Sequence, residues 1–381
     1  MAILVNVMAV VLACAVIAVT ADLFRMAGLS LYTEQYLAGL MALAMPLLYL
    51  HVPAVGRRSV RTGPVPWYDL VAAAVSFVAM VYVAVRFPAL SELVSARPWD
   101  GLIVAAIVIV LILEGLRRTT GTGLFYTTVF FFVLALVGGY LPGEFAAKSI
   151  PLGRLTYYSV WDSTAVMGVT LKIVATVVVI FVLFGHVLFK SGGAGFFTDI
   201  SMALMGRRRG GPAKIDILGS SLFGTISGNV VSNVMTVGVV TIPLMIRVGY
   251  RPHLAAAIEA NASTGGQLMP PVMGIAAFVM AEFLQVPYAE VALAATIPAI
   301  LFYVALFIQV DLEAARSRIL PLDESQIPNI REVLKTGWHF PIPFAVLIYM
   351  LFWGGEEADT AGLWAIGTAK EIGRASCRER V

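Results

Sequence analysis

Two apolar stretches with polar, glycine-rich centres decide the fold of this chain. Residues 216–280 read DILGSSLFGTISGNVVSNVMTVGVVTIPLMIRVGYRPHLAAAIEANASTGGQLMPPVMGIAAFVM. The first centre is GTISGN at 224–229, and the second is NASTGGQ at 261–267, which Pro270 and Pro271 follow. In hydrocarbon, non-helical backbone is tolerated only where protein covers it or where it lines a polar cavity. Interrupted apolar helices of this kind are typical of transporter binding sites, so we expect a binding cavity here.

The composition predicts an all-α integral membrane protein. Of the 381 residues, 59% are hydrophobic and 13% are charged, whereas soluble domains carry about 25% charged residues. The net charge of +3 gives no indication of a nucleic-acid partner, and the two cysteines cannot form a disulfide framework. Nine apolar runs of roughly membrane-spanning length predict a multi-span helical bundle. They are Ile3–Thr20, Tyr36–Val55, Leu70–Val85, Leu102–Leu116, Leu124–Leu141, Met167–Phe189, His253–Phe283, Val291–Val310 and Pro341–Trp353.

The stretch 216–245 is predicted to be a re-entrant helical hairpin, because only that topology separates the positive charges. Lys and Arg concentrate in cytoplasmic loops. With a hairpin, sixteen of them share the side that also holds the N-terminus, namely Arg57, Arg58, Arg61, Arg117, Arg118, Lys190, Arg207, Arg208, Arg209, Lys214, Arg247, Arg251, Arg316, Arg318, Arg331 and Lys335. The other side holds five, namely Arg25, Arg86, Arg97, Lys148 and Arg154. If the stretch crossed the membrane, the last six of the sixteen would change sides and leave ten against eleven. The hairpin therefore places the N-terminus in the cytoplasm.

Composition also divides the chain into four parts. Residues 1–150 form a first membrane bundle, which a Pro- and Gly-containing interlude at 141–162 separates from a second region, 151–353. The second region contains the hairpin, 216–245, and a discontinuous helix, 253–283. Residues 354–369 begin another span. Residues 370–381 read KEIGRASCRERV and interrupt that span with charge, so we expect this tail to be non-native and the chain to be truncated.

Three motifs carry a resemblance to a known family. SSLFGTISGN, TIPLMIRVGYRP and EANASTGGQLMPPVMG resemble the large membrane subunit of tripartite ATP-independent periplasmic (TRAP) transporters, in the branch of fused permeases that work with TAXI-type binding proteins. The resemblance is specific over 152–318, and 1–150 are similar to the fused small subunit. It implies sodium-coupled uptake of a small organic acid, delivered by a periplasmic binding protein, across the bacterial inner membrane. It also implies an elevator-type transporter built from inverted repeats, of which this chain holds one half.

The polar centres contain the oxygen ligands that sodium requires. Glycines let the backbone turn and expose its carbonyls, and hydroxyl and amide side chains add further oxygens. Glycine and serine also serve close helix packing, which is the alternative interpretation of either cluster alone. Two clusters together with the resemblance favour a sodium site. The predicted sodium ligands are Ser227, Gly228, Asn229, Thr264, Gly265 and Gly266.

A carboxylate substrate is expected beside the same two centres. Helix N-termini near Val230 and Val272 offer free N–H groups and partial positive charge to an anion. The predicted substrate-binding residues are Asn233, Asn261, Ser263, Gln267 and Pro270. Asn233 could equally cross-link two helices. Glu259 could hold the hairpin, or lie near the cytoplasmic end with Arg251.

Other functions are less well supported by the residues. The chain contains no phosphate-binding GxxxxGK[ST] loop, no HExxH motif and no CxxC motif, so we expect neither an enzyme nor a bound cofactor. An intramembrane enzyme would need a reactive pair such as two Asp at depth, and none occurs in the two centres. The principal alternative is a sodium–anion symporter that works without a binding protein.

Overall fold

The chain is all-helical over the part that the structure describes. The computed structural model describes residues 2–26, 28, 31–54, 61, 63–140, 149–319 and 321–378, and these contain no β-strand. The Cα positions separate into two compact units, Met1–Thr176 and Val177–Val381. Six helices in the described ranges are long and apolar enough to cross a membrane. The predicted all-α membrane fold is therefore confirmed.

The first unit contains eight helices within its described residues. They are α1 (Ala2–Thr20), α2 (Leu23–Met26), α3 (Thr33–His51), α4 (Trp67–Ser91), α5 (Trp99–Thr119), α6 (Thr122–Val137), α7 (Leu152–Trp161) and α8 (Val169–Ile173). Helices α4 and α5 extend beyond the apolar runs 70–85 and 102–116, because residues at both ends continue the helical hydrogen bonding. Helix α7 lies in the interlude 141–162, for which no helix was predicted. Its buried Trp161 donates through Nε1 to the carbonyl of Gly101 at 2.9 Å.

A buried charge cluster ties three helices of the first unit together. Asp69, at the start of α4, is fully buried and accepts a hydrogen bond from Arg118 of α5 at 2.7 Å. Arg61 also pairs with Asp69. The Arg118 guanidinium lies 4.9 Å from the centre of the Tyr49 ring on α3. Glu114 accepts from both Arg117 and Arg118. The cluster therefore begins at the end of α5 and extends into the interior of the first unit.

The second unit contains eleven helices within its described residues. They are α9 (Val179–Lys190), α10 (Gly193–Met205), α11 (Gly211–Ser227), α12 (Val230–Asn233), α13 (Val239–Arg247), α14 (Pro252–Gly265), α15 (Ile275–Leu284), α16 (Tyr288–Arg316), α17 (Ile330–Gly337), α18 (Pro341–Phe352) and α19 (Ala358–Arg378). Helix α10 was not predicted, because its glycines and Asp199 interrupt the apolar pattern. Helix α17 lies in the polar stretch between α16 and α18. Helix α19 continues past Lys370, so no helix end marks the predicted boundary there.

A helical hairpin forms the centre of the second unit. Its first arm is α11, and its second arm runs from Val230 to Arg247 through α12, a π-helical turn at Val234–Gly238 and α13. The arms are antiparallel, because Asp216 bonds Thr241 near one end while Ser220 bonds Asn233 nearer the other. The first arm begins five residues before the predicted start, since Pro212 fits the first turn of a helix. The hairpin of the prediction is therefore present with longer arms.

The predicted discontinuous helix is also present, with its break displaced towards the C-terminus. Helix α14 continues through Asn261–Gly265, and a 3-10 turn at Gly266–Leu268 follows it. Residues 269–274, here called the proline loop, separate this turn from α15 and contain a cis peptide bond between Pro270 and Pro271. The predicted break at 261–267 is therefore wrong in position. Glycine at 265 and 266 is compatible with helical backbone, whereas consecutive prolines are not.

Candidate functional site

The tip of the hairpin is a three-residue turn, Ser227–Gly228–Asn229. Gly228 ends α11 in the left-handed region with φ of 54°, and its N–H donates to the Gly224 carbonyl at 3.1 Å. Asn229 caps α12, because its Oδ1 accepts from the backbone of Val231 at 2.9 Å and of Ser232 at 3.2 Å. Such a turn requires a residue that adopts the left-handed conformation, followed by a residue that caps the next helix. Glycine and asparagine meet these two requirements. The tip is therefore fixed by its own residues.

The proline loop packs directly on this tip. The backbone N–H of Val272 donates to the carbonyl of Thr225 at 3.2 Å. A Cβ built on Gly228 would lie only 2.9 Å from the carbonyl carbon of Met273, so no larger residue fits there without movement. The two interruptions that the sequence predicts are therefore in contact, which the sequence alone could not establish.

A second close approach lies one turn away from the tip. A Cβ built on Gly266 would lie 2.9 Å from Gly224 Cα and 3.0 Å from Asn233 Nδ2. The 3-10 turn after α14 therefore meets α11 backbone to backbone. Asn233 is fully buried and donates to the Ser220 carbonyl at 3.0 Å, so it cross-links the two arms. Of the two interpretations of Asn233, the geometry favours the structural one.

One tyrosine, Tyr288, holds the proline loop in place through two hydrogen bonds. The Tyr288 hydroxyl donates to the carbonyl of Pro271 at 2.6 Å and accepts from the N–H of Met273 at 3.3 Å. Its ring stacks on Phe278 with centroids 4.2 Å apart and planes 13° apart. Tyr288 thereby connects the proline loop, α15 and α16. Tyr288 was not among the predicted site residues. The sequence distinguishes it only as a residue with a hydroxyl group at the start of an apolar helix.

A cavity of about 880 Å³ opens beside the tip and the proline loop. Its polar lining includes Ser227, Asn229 and Gln267, and the N-terminus of α15 at Gly274–Ile275 borders it. Most other lining side chains are aliphatic or aromatic. A mainly apolar cleft with a few convergent polar groups is the usual form of a small-molecule site. The helix N-terminus that the sequence predicts near Val272 lies at Ile275, three residues later.

Four of the predicted site residues meet at this cavity, namely Ser227, Gly228, Asn229 and Gln267. Gly266 contacts α11, and Gly265 packs against Phe302 and Tyr303. Pro270 lies in the proline loop. Asn233 is on α12 and bonds α11. The three other predicted residues are on α14 and bond to that helix, because it has not yet broken. Asn261 donates to Ala257 at 3.0 Å, Thr264 to Ala260 at 2.6 Å and Ser263 to Glu259 at 2.7 Å.

The structure also joins two acids that the sequence leaves far apart. Asp216 of α11 and Glu259 of α14 are both buried and both contact the Thr241 hydroxyl of α13. Glu259 therefore holds the hairpin, the first of the two roles considered for it. The pair lies outside the lining of the 880 Å³ cavity and outside both polar centres. Its sequence signal is an acid within each of two apolar helices.

Comparison with known proteins assigns the chain to a family. The sequence profile described as "Tripartite ATP-independent periplasmic transporter, DctM component" matches residues 107–373. That match begins within α5 and covers the hairpin, the broken helix and the cavity residues.

Individual relatives agree with this profile. The chain is 32% identical to the C4-dicarboxylate TRAP transporter large permease protein DctM of Pseudomonas aeruginosa over 141 residues, which is 37% of this chain and 32% of the relative. It is 26% identical to the ectoine/5-hydroxyectoine large permease protein UehC of Ruegeria pomeroyi over 182 residues, 47% of this chain and 41% of the relative. It is 31% identical to the uncharacterized protein YgiK of Salmonella typhimurium over 174 residues, 46% of this chain and 39% of the relative. These matches span less than half of each relative. Because the profile covers more than half of the chain, the protein belongs to the DctM component family of tripartite ATP-independent periplasmic transporters.

Proposed function

We propose that this chain forms part of the membrane permease of a sodium-coupled secondary transporter that imports a small organic acid. The observation that carries the proposal is the contact between the hairpin tip and the proline loop beside a cavity. The relatives include permeases named for C4-dicarboxylate and for 2,3-diketo-L-gulonate. We place the protein in the bacterial inner membrane, with its N-terminus in the cytoplasm and with a TAXI-type periplasmic binding protein as its partner.

Sodium would bind between the tip and the end of α14. Ser227 contributes a hydroxyl that receives only a long contact of 3.5 Å from the Asn229 N–H. The glycines at 228, 265 and 266 leave neighbouring carbonyls accessible. Asn229 Oδ1 already accepts two N–H groups, so we assign the Asn229 backbone carbonyl to the ion, since it accepts one hydrogen bond from the Asn233 N–H and keeps a second lone pair. The Thr264 hydroxyl donates to the Ala260 carbonyl, which leaves its oxygen lone pairs for the ion. Sodium accepts such neutral oxygen ligands in discontinuous helices.

The organic acid would bind in the 880 Å³ cavity. Its carboxylate would approach the N-terminus of α15, where free N–H groups and the helix dipole favour an anion. The Gln267 and Asn229 side chains lie close enough to the cavity to add neutral donors. The apolar lining suits the carbon skeleton of the substrate. Because Ser227, Gly228 and Asn229 line this cavity, the substrate would then lie beside the sodium ion.

Transport would follow the elevator scheme of the family. The hairpin and broken helix would move together with their ligands, because the loop and tip are joined by the hydrogen bond from Val272 to Thr225. Residues 1–150, of which 1–106 precede the family match, would correspond to a fused small subunit and enlarge the stationary scaffold. The fold would be repeated in inverted orientation elsewhere in the transporter.

Dependence on a binding protein distinguishes this proposal from its alternative. In proteoliposomes holding the intact transporter, organic acid uptake should occur only when the TAXI-type protein is present in the outer solution. Free substrate at the same concentration should give background uptake. Equal uptake without the binding protein would instead establish a sodium–anion symporter that acts alone.

The re-entrant hairpin predicts that both of its ends face the cytoplasm. Arg208 and Arg251 are exposed and flank the hairpin, so single cysteines there should react with an impermeant maleimide only from the cytoplasmic side. Lys214 is unsuitable as a probe, because it is buried and bonds Asp311 at 2.5 Å. Gln285 after α15 is the matched control and should react only from outside. Reaction of positions 208 and 251 from opposite faces would show that the segment crosses the membrane.

A further inference from the structure

A buried carboxyl pair lies between the two arms of the hairpin and the first half of the broken helix. Asp216 and Thr241 are 0% exposed and Glu259 is 1% exposed. The Thr241 Oγ1 is 2.7 Å from Asp216 Oδ1 and 2.8 Å from Glu259 Oε2. The other Glu259 oxygen accepts from Ser263 at 2.7 Å. Three separate helices, α11, α13 and α14, thus meet at one hydroxyl group.

The hydrogen count at this hydroxyl requires an additional proton. Thr241 has one O–H and can donate to one acceptor. Its oxygen is also 3.1 Å from the Val237 carbonyl, which can only accept. If Asp216 and Glu259 were both ionised, at least one short contact would bring two oxygen lone pairs together. A proton on either carboxyl removes this conflict, because that carboxyl donates to Thr241 and Thr241 donates to the other.

The surroundings provide no positive charge to balance two carboxylates. Neither acid forms an ion pair with any residue that the structure describes. The basic residue nearest in sequence, Lys214, is bonded to Asp311, and the second oxygen of Asp216 has no hydrogen-bond partner among the described residues. The remaining titratable or charged groups on the elements packed around the pair are His186 and Lys190 on α9, Asp199 on α10, Arg247 on α13, His253 on α14, and Tyr288, Glu290, Tyr303, Asp311, Glu313 and Arg316 on α16. Burying an uncompensated carboxylate costs several kcal/mol, so a pair of them is strongly disfavoured.

Close packing also keeps water from the pair. A Cβ built on Gly238 would lie 2.9 Å from both Cγ and Cδ of Glu259. Gly238 ends the π-helical turn of the second arm, and such turns frequently mark functional sites. The unpartnered oxygen of Asp216 and the equally unpartnered Ser220 hydroxyl lie one helical turn apart on α11. The site is therefore closed to water, and it contains more hydrogen-bond acceptors than donors.

We propose that Asp216, Thr241 and Glu259 form a proton-binding site that holds both arms of the hairpin to α14. The proton bridges the two acids through Thr241. This site shares no residue with the proposed sodium ligands, and it stands whether or not sodium drives uptake. Removal of the proton would leave two buried negative charges and would loosen the hairpin from the broken helix.

Infrared spectroscopy of the intact protein in lipid nanodiscs at neutral pH tests the site. The wild type should show the C=O stretch of a protonated carboxyl group. The band should disappear in the double variant Asp216→Asn with Glu259→Gln, and it should be unchanged in the control Asp323→Asn, an exposed acid. A double-variant spectrum identical to that of the wild type would overturn the proposal. So would loss of the wild-type band on adding sodium, because the pair would then be a cation site.

A second measurement covers the case in which the double variant does not fold. Because the folded protein holds a proton that the ionised unfolded acids do not, its stability should fall as the pH rises. The melting temperature of the wild type should therefore decrease with rising pH more steeply than that of either single variant, Asp216→Asn or Glu259→Gln. Thr241→Val should move the carboxyl C=O band to higher frequency, because the protonated carboxyl loses its hydrogen-bond partner, and Thr241→Ser should restore the wild-type position. Identical pH slopes in the wild type and both single variants would contradict the shared proton.

Discussion

Gly224→Ala should destabilise the hairpin by about 1–3 kcal/mol, although alanine is the better helix former. The reason is the backbone contact with Gly266, because a Cβ built on Gly224 overlaps the Gly266 Cα and lies 3.2 Å from its carbonyl carbon. Neither atom belongs to a flexible side chain that could turn away. The 3-10 turn would have to move off α11, and the tip would lose its support. Thermal unfolding of the purified protein measures the change, and organic acid uptake should be lost with it.

Gly219→Ala is the matched control on the same helix. A Cβ there would meet Val237 Cγ1 at 3.4 Å and Ser201 Oγ at 3.6 Å, which are ordinary contacts. This variant should melt at or slightly above the wild-type temperature, since it gains helix propensity without overlap. Equal stability and uptake in the two variants would show that the Gly224–Gly266 approach does not hold the site together.

Gly228→Val should raise the sodium concentration needed for half-maximal uptake, or abolish uptake. Gly228 has φ of 54°, which a β-branched residue adopts only at a cost of about 1–2 kcal/mol. The added side chain would also displace the proline loop, because Met273 and Val272 carbonyl groups occupy that space. The carbonyls of the tip and of the end of α14 would then no longer converge on one point. Uptake by the intact transporter at increasing sodium concentration measures the effect.

Gly355→Val separates backbone strain from damage to the site. Gly355 has a similar φ of 66°, and a Cβ there would have no heavy atom within 4 Å. It should cost comparable stability and leave the sodium requirement unchanged. If both variants shift the requirement equally, the tip has no special part in sodium binding.

The sequence predicts the elements of this site better than their contacts. The hairpin and the discontinuous helix follow from apolar patterns broken by glycine and proline, since these features are local. The break at Pro270–Pro271 was assigned too early, because Asn261, Ser263 and Thr264 look like polar break residues. They are in fact helical, and their side chains bond to the preceding turn of α14. A polar residue in an apolar helix can therefore be satisfied locally without breaking it.

Long-range pairings could not be predicted from one sequence. Asp216 and Glu259 are 43 positions apart, and only the antiparallel packing of α11 and α13 beside α14 brings them to Thr241. The brace from Tyr288 to Pro271 likewise joins α16 to the proline loop. Each of these residues is a single polar group in an apolar context. Such residues indicate that a partner exists, whereas the identity of the partner depends on the fold.

The sodium gradient tests the central claim most directly. Proteoliposomes holding the intact transporter, supplied with the loaded binding protein, would be given an inward sodium gradient, an inward proton gradient or neither. We predict accumulation of the organic acid with the sodium gradient alone, because we propose that the coupling ion binds between the hairpin tip and the end of α14. Accumulation that follows the proton gradient and is indifferent to sodium would contradict the proposal and leave the tip as a substrate site only.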